Sequence, residues 1–326
     1  MYLVEETLDD LLMKAYPLLL EVDNEIAVTK GDTHEIPGVL LKLKNPRGRL
    51  SRTEGKGTIF SCLGELLWYL SGSNKLNFIQ YYIKIYDQFS DDGKSVYGAY
   101  GPRLFGSGRN SQVFNIIKRL KRKSTSRKAV IQLFSADDII EEHEDVPCTC
   151  TLQFLLRDKK LSLYTSMRSN DAYKGLPHDV FAFTMLQEII ARELDVELGE
   201  YSHYVGSLHI YKSDIEDIKV FIKESWQDHI FMPAMPQGSQ LSDILKTLQY
   251  ERKVRAGNII SPGTSIKSQY WQDIAHLLAL FSYSKDPKKH HILQSTADKI
   301  THKAYNSYKQ KRLNSIFNKG RDFVRL

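Results

Sequence analysis

Nucleophilic chemistry in this chain would start at Cys148, in the stretch VPCTCTLQF. A thiolate is soft, strongly nucleophilic and a good leaving group, so it suits addition to an electron-poor carbon and later departure from it. A cysteine just ahead of a strand is by default a small buried hydrophobe. Cys150 follows two residues on, but no second CxxC or HxxxH stands at ligand spacing, so no metal site is expected. The reading changes when other segments are set beside it. MRSNDAYKGLPHD (167–179) gathers an Arg, a Ser, an Asn and two Asp around a Gly–Leu–Pro turn. GSLHIY (206–211) puts His209 and Tyr211 on one face of a strand. GELLW (64–68) sets Glu65 on an otherwise apolar helix, where a carboxylate must be paired, hydrated or working. Each residue alone fits a structural role. Cys148, Glu65, Arg168, Asp179, His209 and Tyr211 together describe a site for a phosphorylated, hydroxylated, base-like ligand.

The elements that must position these groups follow from periodicity. Leu3, Val4, Leu8, Leu11, Leu12, Ala15, Leu18 and Leu19 recur at helical spacing over 3–21. A turn-rich run occupies 44–57, and TIFSCLGELLWYLSG then predicts an apolar helix ending at Gly72. Segment 77–105 is aromatic-rich. AVIQLFS (129–135) predicts a strand; CTLQFLLRD and KLSLYTSMRS, joined by DKK at 158–160, predict a hairpin. VFAFTMLQEIIARELDV (180–196) predicts a helix and HYVGSLHIY (203–211) a strand. Beyond 233 the chain turns loop-rich and then helical over WQDIAHLLALFSYS. The succession predicts an α+β fold, with long sheet strands and helices packed on one side. It also predicts two regions, 1–235 and a helical, basic C-terminal extension over 236–326.

The 326 residues are 42% hydrophobic and 11% aromatic, which excludes disorder throughout. No apolar run reaches the ~18 residues of a membrane span. The acidic MYLVEETLDDLL lacks the basic-then-apolar pattern of a secretion signal. Three cysteines cannot build a disulfide framework in a chain of this size, so a reducing cytoplasm is the expected location. The net charge of +6 is local: residues 287–326 hold seven Lys, three Arg and two Asp, a net +8, and the rest sums to −2. Such a basic tail is first read as a solvated Lys-rich helix, and it also suits nucleic-acid phosphates or an acidic partner.

From about Gly55 to Tyr211 the chain resembles the thymidylate synthase superfamily, through GELLW, SVYG, SRK, PC, LQF, RSND, GLP and GSLHIY in the family's order. The resemblance implies a large mixed sheet, a homodimer packed sheet to sheet, and no metal. It implies one-carbon transfer from 5,10-methylenetetrahydrofolate to C5 of a pyrimidine nucleoside monophosphate. On this sequence Cys148 matches the nucleophile that adds to C6, and Glu65 the carboxylate that moves protons through ordered water. Tyr97 lies in the matching active-site motif. Arg168 and Ser169 match phosphate ligands, and Arg127 a phosphate arginine lent by the other subunit. Lys128 stands where that arginine's partner would be, keeping the charge but losing the fork. His209 and Tyr211 match the pair on the sugar hydroxyl. Asp171 matches the pterin contact, with Gly175 on the same cofactor side. Tyr86 stands at a tryptophan position near the cofactor. The N-terminal phosphate arginine has no clear match; Lys30 is its nearest candidate.

Departures from the synthase pattern point to the substrate. Synthases carry Asn where this chain has Asp179. An amide offers donors and an acceptor to uracil, whereas a carboxylate accepts from the N4–H of cytosine and stabilises a proton on N3. Thr149 replaces the usual His after the nucleophile, and Asp145 replaces an apolar residue three before it, where it would help hold a water. PCT, MRSND and GSLHIY look most like the cytidylate hydroxymethylase branch. The expected activity is therefore 5-hydroxymethylation of CMP or dCMP, with water attacking the exocyclic methylene. The alternatives are a thymidylate synthase methylating dUMP, or a retired scaffold that binds nucleic acid through its basic tail.

Overall fold

Thr7 decides how the chain begins. Its backbone is extended and its side chain accepts from the Asp10 amide, so the first helix, α1 (Leu8–Leu20), starts only after it. Leu3 and Val4, read from the sequence as part of one helix over 3–21, instead lie in a strand, β1 (Tyr2–Glu5), paired parallel with residues 40–43. The structure, a computed structural model, describes residues 1–22, 25–28, 31–51, 53, 59–106 and 111–317.

Two compact units divide the chain, Met1–Met232 and Pro233–Leu326. In the first, β1 and α1 are followed by β2 (Glu25–Val28), β3 (Gly31–Leu43), α2 (Ile59–Leu70), α3 (Leu76–Tyr82), α4 (Tyr100–Phe105) and α5 (Gln112–Arg122). Then come β4 (Val130–Gln132), β5 (Thr149–Arg157), β6 (Lys160–Asp171), α6 (Leu176–Glu193), β7 (Glu197–Tyr211) and α7 (Ile215–Lys223). The seven strands form one sheet in the order β1-β3-β7-β6-β5-β4, with β2 also paired to β3. β1–β3 and β6–β7 are parallel and the other pairs antiparallel, so the sheet is mixed and the fold α+β. The predicted hairpin is β5–β6. Its turn residues Asp158 and Lys159 both have positive φ (47° and 58°), the twist a two-residue hairpin loop needs.

Alternation sorts the sheet's two faces. Val39, Leu41, Leu152, Phe154, Leu161, Leu163, Tyr201 and Val205 are fully buried on one face, while Tyr164 and Tyr204 on the other are 44% and 45% exposed. α6 is the crossover between the parallel strands β6 and β7 and packs on both, and α2 packs on α6. Gly64 makes the α2 packing possible, because a Cβ there would overlap the Tyr82 ring. Arg47 and Arg49 tie the segment after β3 to α6: Arg47 Nε donates to Glu188 Oε1 at 2.9 Å and Arg49 Nη2 to Oε2 at 2.5 Å.

The second unit holds α8 (Leu241–Arg255), α9 (Gln269–Ser284), α10 (Leu293–Ala297) and α11 (Asn306–Phe317). α9 is its centre, with Trp271, Ile274, Leu277 and Leu278 buried. α8, α10 and α11 all pack against it. The basic stretch from 287 to 317 is therefore no loose tail: Leu293, Ala297, Tyr305, Tyr308 and Leu313 bury themselves in this unit's core. No helix among the described residues is long and apolar enough to cross a membrane.

Candidate active site

Cys148 sits immediately ahead of β5, where the β5–β6 register shifts between Thr149 and Thr151. That irregularity takes Cys148 out of the regular alternation and leaves it half-buried. Its carbonyl accepts from the Arg168 amide at 2.8 Å. The Arg168 side chain wraps back over the same backbone: Nε donates to Pro147 O and Nη2 to Val146 O, both at 3.1 Å. The next residue is pinned as well, since the Thr149 amide and hydroxyl donate to the Tyr100 hydroxyl at 3.1 and 3.0 Å. Cys148 thus stands on a braced backbone, with the exposed Arg168 guanidinium folded over the two carbonyls ahead of it.

The strand end of β6 leads directly into the first turn of α6. Asp171 Oδ1 accepts from the Tyr173 and Lys174 amides at 2.8 and 3.0 Å, forming the turn that delivers Gly175 to the start of the helix. Gly175 O accepts from the His178 and Asp179 amides. Asn170 Nδ2 donates to Asp179 Oδ2 at 2.7 Å, and the buried Asn170 Oδ1 has no hydrogen-bond partner. Burial, and then the charge of Glu65, push the Asp179 carboxyl up to about 7, against the opposing pull of Asn170 and His178.

Glu65, on α2, is buried and fully engaged. Oε1 accepts from the Tyr86 hydroxyl at 2.6 Å and the Tyr69 hydroxyl at 3.0 Å, and Oε2 meets His178 Nδ1 at 2.8 Å. Burial alone would raise this carboxyl, but His178 and the two phenols outweigh it and hold it below the usual range. His178 Nε2 lies 3.2 Å from Ser61 Oγ. Burial would depress the imidazole; Cys62 and Glu65 outweigh that and lift it well above the ordinary histidine range. His178 is the residue that sequence reasoning missed. It is visible only as a letter in GLPHD, and its partner lies 113 positions earlier.

The other expected residues divide into groups. His209 and Tyr211 share a face of β7, their rings 5.4 Å apart at 88°, and His209 is the register partner of Asp171. Ser169 is half-buried opposite Ser207. Asp145 lies against Gly98, where a Cβ would overlap its carboxylate. Tyr86 braces Glu65 through its hydroxyl and packs its ring edge-on against Trp68. Tyr97 lies apart from this network: it stacks on His143 at 3.6 Å, with Arg103 5.3 Å over its ring. Arg127 and Lys128 are exposed ahead of β4 and join none of the groups around Cys148. Lys30 lies outside the described residues. Among the described residues, no three of His, Cys, Asp and Glu gather as they would to hold a metal ion.

A cysteine on a braced backbone, a guanidinium folded over that backbone, two carboxyls of opposite protonation tendency and a His–Tyr pair therefore line one end of the sheet. The thymidylate synthase family model matches residues 27–250, and the chain belongs to that family. It is 33% identical over 194 residues to the deoxyuridylate hydroxymethyltransferase of Bacillus phage SP01, across 55% of this chain and 51% of that protein. It is 27% identical over 226 residues to a thymidylate synthase of Francisella philomiragia, across 63% of this chain and 82% of that one. The chain thus spans about half the length of the phage relative.

Proposed function

We propose that the chain hydroxymethylates C5 of a cytidine nucleotide, CMP or dCMP, taking the carbon from 5,10-methylenetetrahydrofolate and the oxygen from water. The observation that carries the reading is Asp179: a half-buried carboxyl at the first turn of α6, held by Asn170 and raised to about 7. In its acid form it offers one donor and one acceptor, which match the N3 lone pair and the N4–H of cytosine. Passing that proton to N3 withdraws electrons from the ring and makes C6 a better electrophile.

The rest of the site supports the same chemistry. Cys148 Sγ adds to C6, and the C5–C6 electron pair forms the new bond from C5 to the one-carbon unit. The C5 proton then leaves through water toward Glu65 while the bond from the one-carbon unit to its donor nitrogen breaks, which releases tetrahydrofolate and leaves an exocyclic methylene on C5. Water adds its oxygen to the exocyclic carbon, Sγ departs from C6, and the C5–C6 double bond returns. The balance is nucleotide, methylene donor and water giving hydroxymethyl nucleotide and tetrahydrofolate, with no oxidation. Arg168 and Ser169 serve the phosphate, and His209 and Tyr211 the sugar hydroxyl. The folate supplies an electrophilic methylene when bound. The donor chemistry fits it: Asp171 uses Oδ1 for the turn, and its Oδ2 is an acceptor suited to pterin N–H groups. Asp145, Gly175 and Tyr86 lie on that side of the proposal. Arg127 and Lys128, exposed in the single chain, serve the phosphate of a second copy packed on the open sheet face of Tyr164 and Tyr204.

A second reading, hydroxymethylation of a uridine nucleotide, is favoured by the similarity to the phage deoxyuridylate hydroxymethyltransferase. A carboxylic acid can also pair with uracil by turning its donor toward O4. The test presents 5-tritiated CMP, dCMP, UMP and dUMP side by side, with and without the folate, and weighs each product. Folate-dependent tritium release with a hydroxymethyl product from CMP or dCMP is expected. A hydroxymethyl product from a uridylate alone would favour the second reading. A methyl product from dUMP alone would make the chain a methylating synthase.

A further inference from the structure

Both ring nitrogens of His178 are engaged by α2: Nδ1 with Glu65 Oε2 at 2.8 Å and Nε2 with Ser61 Oγ at 3.2 Å. The ring is therefore fixed in plane and aim, and it joins the first turn of α6 to the middle of α2. We propose that His178 is a positioning residue that keeps Glu65 ionised and aimed, so that the His178–Glu65 pair, rather than Glu65 alone, is the proton-transfer unit of the site. The proposal rests on the one-carbon-transfer reading above and deepens it.

Three observations carry it. Glu65 is buried, and two neutral phenols on one oxygen do not by themselves compensate a desolvated negative charge. An imidazolium on the other oxygen does, through a charge-assisted hydrogen bond. Second, Asp179 adjoins His178 in the chain, so the pocket holds two carboxyls close to each other, and one positive charge between them lets one stay ionised. Third, Ser61 and Cys62 face the same ring from α2, and burial and Cys62 act on it in opposite directions. The groups that set its protonation are thus Cys62 and Glu65 on α2 and Asp179 on α6. Tyr69 and Tyr86 act one step further out, through Glu65.

The experiment uses the full chain and three variants, His178→Phe, His178→Gln and Glu65→Gln, each first checked for a wild-type-like unfolding transition. Nitrogen-15 NMR of the His178 ring needs no turnover. The wild-type imidazolium should persist well above the unperturbed midpoint of about 6.5, and Glu65→Gln should lower its midpoint by about a unit or more. A wild-type ring that titrates at or below that midpoint overturns the proposal, whichever nucleotide the enzyme accepts. In turnover, His178→Phe should lower kcat about 10²-fold, leave the nucleotide KM within about threefold, and move the acid limb of the kcat profile upward. His178→Gln, which still donates an N–H but has no charge, should recover part of kcat and none of the limb position. An unchanged kcat and limb in His178→Phe also overturns it. If the wild-type chain turns over no nucleotide, the proposed function fails, and the NMR result still decides the role of His178.

Discussion

Asp179→Asn exchanges a carboxyl for an amide of the same shape, so it isolates the consequence of placing an ionisable group at the head of α6. Burial and Glu65 raise this carboxyl from 3.8 to about 7. At about 1.36 kcal/mol per pKa unit, keeping it ionised in the native state costs about 4 kcal/mol. Solvent reaching the half-buried group trims that to about 2–4 kcal/mol. The sign follows from linkage. The native pKa lies above the unfolded one, so the native state holds the extra proton, and its relative stability is full below pH 3.8 and falls as pH rises to about 7. Above that the loss is constant. Asparagine has no such loss and keeps an oxygen for Asn170 Nδ2. The melting temperature of Asp179→Asn should therefore pull ahead of wild type between pH 4 and 7 and stay ahead above it. The gap at pH 8 should exceed the gap at pH 4 by about 4–16 °C, taking about 2–4 °C per kcal/mol. Thermal unfolding of both proteins from pH 4 to 9 measures it, and the difference cancels the titrating groups that do not couple to Asp179, leaving chiefly Glu65 and His178, which do. A gap that does not change with pH would refute the argument. In turnover, the variant should lose about 10²-fold in kcat/KM on cytidylate, because an amide cannot deliver the N3 proton.

Further outcomes follow from the same contacts. Arg168→Lys loses the two-carbonyl grip on Val146 and Pro147 and should lower kcat/KM at least tenfold, with a higher nucleotide KM and a nearly unchanged unfolding curve. Tyr86→Phe removes the 2.6 Å bond to Glu65 Oε1 and should lower stability by about 1–2 kcal/mol in denaturant titration, with a parallel fall in kcat. Glu188→Gln leaves Arg49 buried opposite a neutral amide and should cost about 3–5 kcal/mol by the same titration. Replacing Asp158–Lys159 by Asn–Gly relieves two positive-φ residues and should stabilise the chain by about 0.5–1 kcal/mol without altering turnover.

The parts of this molecule that were legible in the sequence are those where local pattern and chemistry coincide. β5, β6 and β7 alternate over a buried face, and α6 is apolar on nearly every side, so periodicity marks them. Strand β3 was not legible, because Pro37 and Gly38 interrupt its alternation, and only pairing with β1, β2 and β7 defines it. β1 merged with α1 in the reading because Leu3 and Val4 fall at helical distance from Leu8, and the Thr7 cap separates them. Helix α8 escaped because its buried stripe includes Thr247 and Glu251. At the site, Cys148, Glu65, Arg168 and Asp179 were nameable from residue type and order. Their couplings were not: Glu65 to His178 and Tyr86, Arg168 to the backbone ahead of Cys148, and Asn170 to Asp179 all join residues that only the fold brings together. Tyr97 illustrates the reverse, a residue inside a telling motif whose ring stacks on His143 away from the Glu65 network.

The most direct test of the central claim is the mass of the chain after incubation with a 5-fluorocytidine nucleotide and 5,10-methylenetetrahydrofolate. Fluorine at C5 cannot leave as the proton does, so turnover should halt with the pyrimidine still bonded to sulfur. The account predicts an intact-protein mass increased by nucleotide plus folate, mapped by peptide analysis to Cys148, absent in Cys148→Ser and absent without the folate. Trapping by the fluorouridine nucleotide but not the fluorocytidine one, or no adduct at Cys148 with either, would contradict it.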